Sequence, residues 1–254
     1  MDDGTSRAGR RNAFGVIAGA LFVIGPALAW LGVVRGLVAF VLFALGGLTG
    51  VVVGVTSVIQ AARGRGLGRG GAVALVVGVV FLALASRGAG KPRINDFTTD
   101  PADPPALAHA ATLPPNVARD MSYPKAFADI QRGCCGDLHP ARVRAGAPEA
   151  FARAEAVARQ MGLTVTWRDP SAGLMEAMAT SRLFGFHDDI AIRVRPEADG
   201  TSRIDVRSKS RDGQGDLGVN AARIRTFVAA LEAGAAAPPW QPRGSEHSEA
   251  REGK

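Results

Sequence analysis

Three apolar runs crowd into the first ninety-one residues, and they constrain everything that follows. They are Phe14–Val34, Gly36–Ile59 and Gly70–Ser86, roughly 21, 24 and 17 residues long. A helix of about 20 apolar residues crosses the hydrocarbon core of a bilayer, and 17 is near the lower limit. Three transmembrane helices are therefore expected within residues 14–91, after a short cytoplasmic tail at residues 1–13. Arg35 alone separates the first two runs, so their turn is tight and close to the membrane surface.

Charge sets the expected orientation. The net charge of +7 is confined to this part: residues 1–91 hold nine Lys/Arg against two Asp/Glu, and residues 92–254 hold 21 of each sign. A nucleic-acid binder places its surplus on the folded domain, so nucleic acid is not an expected partner. Arg7, Arg10, Arg11, Arg63, Arg65 and Arg69 fall on one side of the membrane. Arg35, Arg87, Lys91 and Arg93 fall on the other. The larger set belongs in the cytoplasm. The N-terminus is then inside, and three crossings put the rest of the chain outside the cytoplasm, as in an inner-membrane protein with a periplasmic or extracytoplasmic domain. A cleaved leader ending at Ala27-Leu28-Ala29 is the rival reading, and the apolar run continues past it. Gly46, Gly50 and Gly54 recur every four residues, a face that lets helices approach closely. It serves either homodimerisation or packing inside the three-helix set. Gly66, Gly68 and Gly71 match a dinucleotide-binding spacing, but no strand precedes them.

Past the anchor, Pro92–Asn116 reads as a Pro-rich, extended and solvated linker lying against a domain at residues 117–234. Asp96, Asp100 and Asp103 lie in it without the spacing of a calcium loop. A short helix is expected over Pro124–Gln131, a strand over Ala141–Arg144 and an amphipathic helix over Pro148–Met161, with Pro148 at its start and Gly162 past its end. Four alternating strands follow: Leu163–Arg168, Leu174–Ser181, Ile190–Arg195 and Arg203–Lys209. Leu163, Val165 and Trp167 share a face of the first. Asp216 caps a last helix, Leu217–Ala233, whose stripe begins at Leu217. Residues 235–254 read as a disordered tail. The fold class is thus an α-helical anchor plus an α+β domain, a mostly antiparallel sheet with two helices on one face. The other face would be left to solvent or a partner. It would carry Thr164, Thr166, Arg168, Glu176, Arg193, Arg195, Asp205, Arg207 and Lys209.

The stretches INDFTTDP, FGFHDDIAIRV and IDVRSKSRDGQGDLGVNAARI, with their spacing, resemble the family called domain of unknown function 1499 (DUF1499), over roughly Pro92–Leu231. Its members are bacterial and plastid proteins, many with N-terminal membrane helices. The resemblance implies no activity, substrate or cofactor. It singles out Asn95, Asp96, Thr99, Asp100, Phe184, Gly185, Phe186, Asp188, Asp189, Arg193, Asp205, Arg207, Ser208, Ser210, Asp216, Leu217, Gly218, Asn220 and Arg223. Arg132–Leu138, with Cys134 and Cys135, departs from the aromatic-Pro-Asp stretch expected there.

No catalytic residue, metal ligand set or cofactor is assigned from the sequence. His187-Asp188-Asp189 is the one cluster with enzyme-like chemistry, as a divalent-metal site or an acid–base pair of a hydrolase. Successive residues of an extended chain face opposite ways, so at most two converge without a bend. The bland alternative pairs Asp188 or Asp189 with Arg193 or Arg207. Backbone N–H groups of the loop Ser210–Asp216 can bind an anion with Arg211, in competition with the Asp216 cap. The adjacent cysteines match no metal spacing, and a disulfide between neighbours is strained; they read as two small loop residues. The expected ligand or partner surface comprises Asp188, Asp189, Arg193, Asp205, Arg207, Arg211, Asp216 and Asn220, on a domain that binds a partner, a ligand or a lipid of the cell envelope without catalysis.

Overall fold

The computed structural model describes residues 3–234, with side chains from Gly9 onward. The expected tail at residues 235–254 lies outside the described residues. The described residues form two compact units: residues 3–90 with Ser181–Phe186, and residues 91–180 with residues 187–234.

The first unit is built on α1 (Asp3–Trp30), α2 (Gly36–Ala62) and α3 (Arg69–Ser86). All three are long and apolar enough to cross a membrane. They turn valine, leucine and isoleucine outward, as lipid demands, and small residues inward: Ala18, Ala39 and Ala74 are fully buried. A Cβ on Gly46 would stand 2.6 Å from the Phe22 nitrogen of α1, and one on Gly50 would stand 2.7 Å from Val77 Cγ1 of α3. The chain's own helices thus fill the glycine face on which the sequence also allowed a homodimer. Phe22 stacks on Phe43 at 4.3 Å between ring centroids, and the Phe184 ring meets Phe43 edge-on at 5.3 Å within the same unit.

The second unit holds the sheet. Its strands are β1 (Asp96–Thr98), β2 (Ala141–Val143), β3 (Thr164–Asp169), β4 (Leu174–Thr180), β5 (His187–Pro196) and β6 (Ser202–Ser210). They pair antiparallel in the order β1-β6-β5-β4-β3, with β2 beside β1 along the same edge of β6. Its helices are α4 (Ala108–Thr112), α5 (Lys125–Cys135), α6 (Ala147–Gln160) and α7 (Val219–Glu232). Alternation turns Ile190, Ile192 and Val194 of β5, with Ile204 and Val206 of β6, to one side. There they meet Phe151, Ala154 and Val157 of α6 and Ile224, Phe227 and Leu231 of α7 in one core. Cys134 and Cys135 close α5 rather than lying in a loop, as free thiols, the first exposed and the second buried.

Three expectations change. The Pro-rich segment is not a solvated tether: it supplies β1, and Ile94, Phe97 and Asn116 are fully buried. A bulge between Val165 and Trp167 shifts the register of β3. One extra residue reverses which face the following side chains take. Trp167 therefore leaves the face of Leu163 and Val165, sits opposite Glu176, and stacks with His109 at 6.1 Å. Leu217 does not begin α7. It sits two residues ahead of the helix in a left-handed turn, 62% exposed.

Candidate functional site

The sheet face away from α6 and α7 is covered. Residues 99–123 double back across it, with Leu107, Ala110 and Met121 packed against Ala191. Of the polar residues expected on an open face, Glu176, Arg193, Arg195, Asp205, Arg207 and Lys209 hold this covering strap in place, whereas Thr164 and Arg168 are exposed and Arg168 pairs with Glu155 of α6.

Arg207 is the centre of one group. It points away from the helix side because Val206 and Ser208 point toward it. Its guanidinium donates Nε and Nη2 to the Asp96 carboxylate at 3.0 and 2.8 Å, and donates onward to the carbonyls of Pro105 and Met121 at 3.3 and 2.8 Å. Lys209 Nζ reaches the same carboxylate at 3.1 Å. Arginine suits this place because its planar fork serves a carboxylate and two carbonyls at once.

A second group stands two residues earlier on β6. The fully buried Asp205 accepts Arg203 on one oxygen and Arg193 and Arg195 on the other. Those arginines reach up to the strap. Arg203 donates to Asp100 at 2.6 Å, Arg195 to Asp103 at 2.9 Å, and Arg193 to the Asp103 carbonyl at 2.7 Å. Asp96 is thus paired with Arg207, while Asp100 and Asp103 share the arginines gathered around Asp205. The two guanidinium groups beside Asp103 hold its carboxyl below the ordinary range.

His187, Asp188 and Asp189 part company by strand alternation. Asp188 faces α7 and accepts Arg223 at 2.7 Å. Asp189 faces the strap, where Arg211 grips it with two nitrogens at 2.6 and 2.9 Å and Asn116 donates at 2.8 Å. His187 meets the Thr180 hydroxyl at 3.0 Å. The partners expected for the two aspartates, Arg193 and Arg207, serve Asp205 and Asp96 instead. Among the described residues no group of three His, Cys, Asp or Glu side chains stands in position to hold a metal ion.

Asn220 ties the helix side together. It accepts the Ser208 hydroxyl and Arg223 at 2.6 Å each and donates to the Ser210 hydroxyl at 2.9 Å. Asp216 takes the N–H groups of Gly218 and Asn220 at 2.8 and 2.6 Å, so the cap occupies the donors an anion would need. Burial pushes the Asp216 carboxyl above its ordinary value, against the pull of those two donors. Glu176 is likewise raised by burial although it accepts the N–H groups of His109 and Ala110 at 2.7 Å each.

The eight expected surface residues fall into four groups: Asp205 with Arg193, Arg207 on Asp96, Asp189 with Arg211, and Asp188 with Asn220 around Arg223, with Asp216 joined to that last group through the Asn220 N–H. Sequence reasoning does not reach Asn116 or Arg119. Arg119 bridges the Asn116 side chain and the Ser210 carbonyl at 2.8 and 3.0 Å. Both are isolated polar residues in a Pro-rich stretch, with no periodicity to mark them.

A comparison with curated proteins gives no match. A family model described as "Protein of unknown function (DUF1499)" matches residues 96–231, from the first residue of β1 to the last turn of α7. That span is more than half of the chain and holds every ion pair just described, and the protein belongs to the DUF1499 family.

Proposed function

We propose that this is an integral protein of a bacterial cytoplasmic membrane whose domain lies outside the cytoplasm and binds a protein partner without catalysis. The observation that carries the reading is the closure of Asp188 on Arg223 and of Asp189 on Arg211, on opposite sides of the sheet. Acid–base chemistry needs a carboxylate free to exchange a proton with a substrate. Here both are committed to guanidinium groups inside the fold. What remains for a partner is the rim of the Asp205 group. Asp103 is mostly exposed there and Arg195 partly so.

Native mass spectrometry of the full-length protein, extracted from its own membrane, tests the reading. A bound protein mass that disappears with Asp103→Arg and Arg195→Glu supports it. Turnover of a small substrate that His187→Ala abolishes overturns it. The orientation has its own test in the exposed thiol of Cys134. A membrane-impermeant maleimide added to intact spheroplasts labels Cys134 if the domain is outside, and leaves it unlabelled until lysis if it is not.

A further inference from the structure

Two chain segments meet the sheet at one end. Asp188 pairs with Ser210, and Asp96 with Lys209. The 211–218 loop and the residues that lead into β1 therefore share that end. Asn116 and Arg119, through Asp189 and the Ser210 carbonyl, bring Val117 there too. Among the described residues of this unit, three large apolar side chains are exposed, and two belong here: Val117 at 70% and Leu217 at 62%. The third, Ile130, is on α5.

Leu217 is held out against its own preference. Its φ of 56° is the one positive φ of a non-glycine among the described residues, and the Asp216 cap on Gly218 and Asn220 fixes the turn. A strained backbone that presents an apolar side chain to the outside does not serve the core. Basic residues stand around it. Lys91 and Arg93 are exposed, with the Lys91 methylenes beside Gly218 and the Arg93 backbone beside Gly215. Asp212 is the exposed acid of the loop. The last residue of α3, Ser86, is separated from Asp96 by the nine residues 87–95. Fully extended, that tether reaches on the order of 30 Å, so this end of the sheet stays within reach of the bilayer that α3 spans.

We propose that this end of the sheet, with Val117 and Leu217 set among Lys91 and Arg93, is a contact for a bilayer surface carrying anionic headgroups. Aliphatic tips enter the headgroup boundary while lysine and arginine meet the phosphates. The contact depends on the anchor and not on a protein partner, so either idea can fail alone.

The test uses full-length protein in nanodiscs, with Cys134→Ser and Cys135→Ser as background and an environment-sensitive fluorophore on Val117→Cys, Leu217→Cys or Ser171→Cys. Ser171 lies in the β3–β4 turn at the opposite end of the sheet. In an equimolar mixture of phosphatidylcholine and phosphatidylglycerol, the labels at 117 and 217 should shift to the blue and lose intensity to shallow doxyl lipids, and the label at 171 should do neither. Pure phosphatidylcholine, or the double change Lys91→Glu and Arg93→Glu, should abolish most of the shift. Labels at 117 and 217 as wet as the one at 171 overturn the contact. Equal immersion in both lipids overturns its dependence on anionic headgroups. A strained Leu217→Cys that fails to fold leaves the Val117 label to decide.

Discussion

Arg207 of β6 grips Asp96 of β1 with two nitrogens at 3.0 and 2.8 Å, and both side chains are buried. The same guanidinium holds the Pro105 and Met121 carbonyls, so one side chain joins the edge strand to both limbs of the strap. Taking two charges out of water costs most of what their attraction returns, so the pair is not a large net source of stability. Removing one partner is a different matter, because the survivor keeps its desolvation cost. Arg207→Ala should destabilise the domain by roughly 3–5 kcal/mol, with Lys209 retaining part of the Asp96 charge. Arg207→Lys should recover little, since an ammonium cannot copy the fork. Thermal unfolding of the full-length protein in detergent reads both. A loss by Arg207→Ala of no more than a surface substitution would show that the strap is held elsewhere.

Asp188 and Arg223 act as a unit with Ser208 and Asn220 on the helix side. Asp188→Ala strands a buried guanidinium, and Arg223→Ala strands a buried carboxylate. The double variant strands neither. Its loss should therefore fall short of the sum of the single losses by about 1 kcal/mol or more, within the range measured for residues of one network. Additive losses in the double-mutant cycle would mean that each side chain acts through other partners.

Local pattern made much of this architecture legible in advance. The hydropathy of residues 14–86 marks three spans. Period-two alternation in Ile190–Arg195 and Arg203–Lys209 marks β5 and β6, and the apolar stripe of Phe151, Ala154 and Val157 marks α6. What local pattern cannot carry is partner choice. Asp96 and Arg207 are 111 residues apart, and nothing near either one specifies the other. The alternation does say that Asp205, Arg207 and Lys209 share a face. It does not say that a Pro-rich stretch a hundred residues earlier covers them. Trp167 shows a second limit, since a one-residue bulge reverses a side chain without leaving a mark in composition. Leu217 shows a third. It continues the apolar stripe of α7, and the carboxylate of Asp216 stops the helix short of it by claiming the N–H groups of Gly218 and Asn220.

Asp216 also sets a pH dependence. Its carboxyl lies above the ordinary 3.8 chiefly because it is buried, with the nearby Asp188 charge acting in the same direction. A raised carboxyl means that the folded state holds the proton more tightly than the unfolded state. Folding stability from this group is then greatest below pH 3.8 and declines as pH rises through the folded value. Asn at this position keeps an oxygen for one of the two N–H groups, loses the acceptor for the other at every pH, and does not titrate. The stability of the wild type relative to Asp216→Asn should therefore fall as pH is raised from 3.5 toward neutrality. Melting temperatures of the two proteins in parallel over that range make the measurement. A difference that stays flat, or grows with pH, would mean the cap outweighs the burial.

The glycine face of α2 separates two fates for the anchor. A Cβ on Gly46 would stand 2.6 Å from the Phe22 nitrogen and 2.7 Å from the Ala18 oxygen. These are backbone atoms of α1, and they cannot swing aside as a side-chain tip can. Gly50 meets Val77 Cγ1 at 2.7 Å and the Gly78 nitrogen at 3.0 Å. Overpacking a fitted interface costs about 1–3 kcal/mol, and a clash with backbone belongs at the upper end. Gly46→Val should thus lower the melting temperature of the detergent-solubilised protein while its mass by light scattering stays that of the wild type. Val52→Ala, on an exposed flank of the same helix, should do little, since Val52 is 64% exposed. A face reserved for a second copy would answer the other way. Gly46→Val would then halve the particle mass and leave the melting of each protomer unchanged.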